Sequence, residues 1–265
     1  MMRITLPVAG AKPRTVLIRE GRAGKARIEI LGPELGARAR KELVASIRRV
    51  LNLDEDLSPL YELAAADAEL RWIGTGAGRM ARGATVFEDV VKTVCTTNCT
   101  WSATQRMVGA LVEGLGESSA GGHGRAFPTP EAMASTPESF YRDIARAGYR
   151  GAYLRALAKS VAEGSVDLET LAAVTPEDLP DDDLAKLLLA LPGVGPYAAA
   201  HIMMLIGRHS RLILDSWTRP TYALLSCGRK ATDRQIERRF RPYGRYAGLA
   251  FWLFLTRDWV EDSTA

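Results

Sequence analysis

The 265-residue sequence predicts an α+β protein, mainly α, with a small antiparallel β-sheet at its N-terminus. Three observations predict it. RITLPV, TVLIRE and ARIEILG alternate branched apolar with polar residues and are separated by Gly/Ala/Lys/Pro segments, the pattern of short half-buried strands over roughly residues 1–35. ARARKELVASIRRVLNL then repeats apolar residues at helical spacing, and SPLYELAAADAEL reads as another short helix. From there to the end the chain carries helix-start signals and no further strand pattern.

Those starts are specific. Thr85 with Glu88 three places on has the form of a capping box, followed by an apolar stripe of Val86, Phe87, Val90, Val91 and Val94. Thr-Pro-Glu occurs at Thr129, Thr136 and Thr175; in each, Thr suits the cap, Pro the first helical position, and Glu the positive helix end. Asp181–Asp183 stand where a helix running to Leu191 begins, and helix starting explains them better than metal binding. Gly114 to Gly124 reads as a flexible loop, with His123 solvated.

Composition narrows the function classes. Apolar residues at 47% and charged residues at 25% describe an ordinary globular protein with a substantial core. No apolar run reaches membrane-span length, and MMRITLPVAG lacks a signal-peptide core, so a cytosolic protein is expected. Cys95, Cys99 and Cys227 are too few for a four-cysteine cluster or a disulfide framework, and no metal site is expected. The net charge of +4 permits a polyanionic partner without demonstrating one.

The stretch LPGVGPYAAA sits between two helical runs, and LILDSWTRP places Asp215 twenty residues after Gly195. Gly193 and Gly195 permit φ > 0 and close approach of another backbone. The amides opening the following helix then form an anion site that grips one phosphate and reads no sequence. An ordinary helical corner uses the same residues. The Lys-Ser/Thr ending of a P-loop is missing. D-S-W-T before a helix also invites an N-cap at Asp215.

Taken together, LPGVG and LILDSWTRP resemble the helix-hairpin-helix DNA glycosylase superfamily, in which a catalytic Asp follows the hairpin by about twenty residues. VVKTVCTTNCTW and GYRGAYL resemble segments of its 8-oxoguanine branch, and PYGRYAGLAFWLF its last core helix; the likeness runs with gaps from about Asp54 to Trp259. The resemblance implies an N-terminal accessory domain at 1–75 and a two-lobed helical core at 76–265, with the hairpin at about 184–207. It implies double-stranded DNA with a damaged base as partner, no membrane, a monomer, and no cofactor.

Residue by residue, the resemblance makes Asp215 catalytic. It puts Gly193, Val194 and Gly195 on a phosphate, with Arg219 reaching another. Asn98 becomes the gap filler, and Tyr149 with Arg150 the wedge and intercalating pair. Trp217, His201, Phe251 and Tyr197 line the base pocket. Three departures shape the expectation. Tyr197 stands where lyase members carry a lysine, and no lysine lies between Lys186 and Lys230, so strand cleavage is not expected. Lys92, well before the hairpin, is a poor substitute. Phe251 replaces the base-reading glutamine and Ala103 the arginine that reads the opposing cytosine, which favours stacking on an alkylated purine. The alternatives are a non-catalytic DNA-binding protein, and a glycosylase acting on oxidised purines.

Overall fold

Alternation in the first thirty residues produces strands β1 (Met2–Val8), β2 (Ala11–Glu20) and β3 (Ala26–Ile30), joined in order as an antiparallel sheet with Ile4 opposite Val16 and Val16 opposite Ile30. The structure, a computed structural model, describes residues 1–22, 24–226, 228 and 230–261; Cys227 lies outside the described residues. The helices are α1 (Ala37–Val50), α2 (Ser58–Ala65), α3 (Val86–Thr96), α4 (Trp101–Leu115), α5 (Pro130–Ser135), α6 (Arg150–Ala162), α7 (Leu168–Ala173), α8 (Asp181–Leu189), α9 (Pro196–Leu205), α10 (Thr218–Leu225), α11 (Asp233–Phe240), α12 (Ala247–Leu255) and α13 (Asp258–Glu261). Among the described residues no helix is long and apolar enough to cross a membrane.

The chain divides into two compact units: residues 1–51 with 82–172, and residues 52–81 with 173–265. This corrects the contiguous boundary expected at residue 75. In the first unit, Leu6, Val16 and Ile18 of the sheet share a core with Leu43, Ile47 and Val50 of α1. In the second, Leu57, Leu60, Leu70 and Ile73 pack with Ile213, Phe240, Phe251 and Phe254. That apolar packing draws 52–81 to the C-terminal helices.

Helix starts follow the sequence with three corrections. Thr85 accepts the Glu88 N–H at 3.1 Å, but the Glu88 carboxylate takes the Ala84 amide, so the box closes one residue early. Thr129 caps α5. Thr136 instead donates back to the Ala132 carbonyl, and Thr175 with Asp178 closes a turn of its own that ends before α8 starts at Asp181. A reciprocal capping box occurs at Thr232 and Gln235, opening α11. Asp181, Asp182 and Asp183 form the first turn of α8 as expected, and Asp181 also holds Arg208 and Ser210.

Candidate active site

The second unit contains the hairpin. α8 and α9 are joined at Leu191–Gly195, where Gly193 takes φ 79°, a left-handed conformation that disfavours any residue with a Cβ. Gly195 is extended (φ −97°, ψ −177°) and is the N-cap of α9; the Ala199 N–H makes the first intrahelical bond to its carbonyl at 2.9 Å. An added Cβ on Gly195 would meet nothing within 4 Å, so neither packing nor φ demands glycine there. What it leaves is an open approach to the helix start. Val194 is different. Its side chain is buried and its N–H donates to the Leu191 carbonyl at 3.1 Å, so it supports the turn from inside and is not a phosphate donor.

Asp215 lies three residues before the first residue of α10 and is held from two sides. Its Oδ1 accepts the N–H groups of Trp217 at 2.8 Å and Thr218 at 2.7 Å, while its own N–H donates to Thr218 Oγ1 at 2.8 Å. Thr218 is fully buried, which fixes this exchange. The bonds orient the carboxylate through one oxygen and leave Oδ2 outside both of them. The N-cap geometry expected of D-S-W-T is therefore present, and a rigid carboxylate is also what charge stabilisation requires.

Around this acid lies a run of rings. Tyr197 and His201 face each other across one turn of α9, centroids 4.4 Å apart, and His201 Nδ1 lies 3.2 Å from the Tyr197 carbonyl. His201 meets Trp252 of α12 edge-on at 5.8 Å; Trp252 lies 5.8 Å from Trp217, and Trp217 5.8 Å from Trp259. Burial holds the His201 imidazole below its ordinary pKa, partly offset by the Tyr197 carbonyl and by the negative charge of Asp215. Trp217 and Trp259 are exposed, so the rings reach solvent instead of closing into core.

Phe251 does not belong to this group. It is fully buried, with its ring 5.2 Å from Phe240 and 6.2 Å from Tyr222. A helical step of about 100° per residue turns Phe251 into the core and brings Trp252 to the ring cluster. Sequence reasoning set Trp252 near the pocket beside Phe251 without choosing it as a site residue, and it missed Trp259. Arg219, expected on a phosphate, is gripped by Asp233 through two bonds, at 2.7 and 2.9 Å.

The first unit holds a separate constellation. Asn98 adopts φ 45° just after α3, is exposed, and donates through Nδ2 to the Tyr149 hydroxyl at 3.2 Å. Tyr149 is more than half exposed, with its ring edge against Tyr153 at 6.1 Å. Arg150 is buried: its guanidinium donates to the Thr97 carbonyl and lies 4.7 Å from the Tyr149 ring centroid. It braces the turn carrying Asn98, which corrects its expected role as an intercalating side chain. Lys92 is paired with Glu88, also in this unit. Cys95 is buried, its thiol pushed up to about 12 by desolvation, and Cys99 donates to the Cys95 carbonyl at 3.1 Å.

The chain that carries the glycine hairpin and the capped acid after it shares its fold with solved DNA glycosylases. The 3-methyladenine DNA glycosylase of Archaeoglobus fulgidus superposes with TM-score 0.75 at 18% identity, over 97% of this chain and 87% of that one. The Clostridium acetobutylicum 8-oxoguanine glycosylase/lyase in its apo form gives 0.72 at 20% identity, over 94% and 84%. The same Clostridium protein has been solved with double-stranded DNA containing cytosine opposite 8-oxoguanine.

In sequence, the chain is 26% identical to a probable N-glycosylase/DNA lyase of Methanothermobacter thermautotrophicus over 61% of its length. It is also 26% identical to a DNA-3-methyladenine glycosylase of Bacillus subtilis over 62%. These matches cover 57% and 54% of the relatives' own lengths. No protein-family model matches the chain.

Proposed function

We propose that this protein is a monofunctional DNA glycosylase that turns an alkylated purine out of duplex DNA and hydrolyses its N-glycosidic bond. The observation that carries the proposal is Asp215, pinned by the amides of Thr218 and of Trp217, whose own ring belongs to the Tyr197–His201–Trp252–Trp217 cluster. Relatives named as DNA glycosylases support the class.

The chemistry follows from these groups. Extrusion of the base brings it against the rings. Alkylation of a ring nitrogen leaves the purine cationic, and a cation over Trp faces is stabilised by their quadrupoles. The C1′–N bond then breaks with its electron pair going to the base, which departs neutral. Positive charge developing on the sugar is stabilised by the Asp215 carboxylate. Water adds to C1′ and loses a proton, with Asp215 Oδ2 as the acceptor in reach. No amine stands at position 197 to capture the sugar, so the product is an abasic site on an intact strand. The reaction needs no cofactor.

A second reading, removal of oxidised purines, is favoured by the Clostridium fold relative. Single-turnover base release distinguishes the two, using duplexes carrying 3-methyladenine, 7-methylguanine, 1,N6-ethenoadenine, hypoxanthine, uracil or 8-oxoguanine. The proposal expects the alkylated purines to be released fastest; 8-oxoguanine as the preferred substrate would replace it with the second reading.

A further inference from the structure

α11 has two faces of opposite character. Inward, Ile236 and Phe240 are buried, and Arg239 on the flank pairs with Asp67 at 2.5 Å and Glu69 at 3.3 Å. Outward, Arg234 and Arg238 are exposed, as is Arg241, the C-cap residue that continues the helical path. At 100° per residue these three fall within an arc of about 60°, spread over about 10 Å of the axis. Among the described residues none of the three is in an ion pair, whereas Arg219, Arg239 and Arg257 of the same unit are. Glu237 is the acid exposed beside the row, and Lys230 precedes it.

Like charges at i, i+4 and i, i+3 repel, and the helix dipole disfavours Arg234 in the first turn while favouring Arg238 in the last. A row of exposed guanidinium groups with no ion-pair partner is complementary to an external anion. Its spacing suits a phosphodiester strand, which carries one charge per about 3.4 Å of duplex axis. Its position suits the same partner. Asp233 grips Arg219, whose N–H lies 3.4 Å from the Asp215 carbonyl, so the row starts beside the helix that Asp215 caps.

We propose that the outward face of α11 is a phosphate-binding track, separate from the hairpin, that holds undamaged duplex DNA flanking the lesion. The choice of DNA as the polyanion rests on the glycosylase reading; the charge row does not. The track contacts phosphates only and reads no sequence.

The test uses the full-length protein and a fluorescent undamaged 20-base-pair duplex, with anisotropy titrations at salt concentrations from roughly 50 to 300 mM. Arg234→Gln/Arg238→Gln/Arg241→Gln is expected to bind roughly tenfold or more weakly at the lowest salt, and to reduce the log–log salt slope by about 2 to 3. Arg238→Gln alone, the milder change should the triple variant misfold by circular dichroism, is expected to reduce it by about 1. Single-turnover base release at saturating enzyme stays unchanged. Equal affinity and slope in wild type and variants overturn the track, as does a wild type that binds no duplex. Because the probe carries no lesion, a reduced slope supports the track even if no base is ever released, which separates its failure from failure of the catalytic reading.

Discussion

The Gly248 N–H donates to the His209 carbonyl at 2.7 Å, joining the first turn of α12 to the segment that leads into Asp215. A Cβ on Gly248 would overlap the carbonyl oxygens of Arg211 and His209. This contact sets the helix carrying Trp252 against the chain carrying the acid. Glycine is required there by close approach, since backbone carbonyls cannot move aside as a side-chain end can.

Gly248→Ala is therefore expected to destabilise the fold by about 1–3 kcal/mol. Its base release is expected to fall together with the thermal midpoint. Chemical denaturation of wild type and variant checks this; an unchanged midpoint would show that the approach is not tight.

His201 gives a pH dependence of definite sign. Burial, foremost, lowers its pKa, so the unfolded chain takes up the proton more readily than the folded one. The stability this histidine permits is present above its unfolded value of about 6.5 and declines as pH falls through that value toward the folded pKa. His201→Phe is expected to flatten the fall in thermal midpoint between about pH 6.5 and 5. Parallel profiles for wild type and variant would contradict the assignment.

Phe251 and Trp252 separate core from site. Phe251→Ala is expected to cost about 3–5 kcal/mol of stability. Trp252→Leu is expected to weaken lesion binding at much smaller loss of stability, because its ring is only partly buried against the core. Urea denaturation and lesion-duplex affinity of the two variants decide it; the reverse pattern would return Phe251 to the pocket.

Arg150→Met is expected to destabilise the first unit by about 1–3 kcal/mol, because the Thr97 carbonyl loses its charged donor. Tyr149→Phe removes only the hydroxyl that meets Asn98 and is expected to stay within about 0.5 kcal/mol of wild type. A neutral Arg150→Met in thermal unfolding would mean that the guanidinium is free after all.

The sheet, the hairpin and the cap at Asp215 were legible because each rests on a local rule: alternation, glycine conformation, and a short acid before a helix. Phe251 was misplaced because α12 is apolar on every side, so the pattern names no outward face. Arg150 was misread since an arginine at a helix start is equally suited to solvent or to a neighbouring carbonyl, and only Thr97, distant in sequence, decides. The unit boundary failed for a similar reason. Leu57, Leu60 and Ile73 look like any helix stripe, and their partners, Phe240 and Phe254, lie far along the chain.

The decisive residue is Asp215. The measurement is single-turnover release from a 3-methyladenine or 7-methylguanine duplex, read on gels with and without alkali, for wild type and Asp215→Asn. Asparagine keeps an acceptor for the Trp217 and Thr218 amides, so the helix start is retained while the charge is lost. Wild type is expected to release the base, with strand scission only after alkali, and the variant to lose at least about a thousandfold at unchanged thermal midpoint. Strand scission without alkali would contradict the monofunctional assignment. Equal release by both proteins would reduce Asp215 to a helix cap.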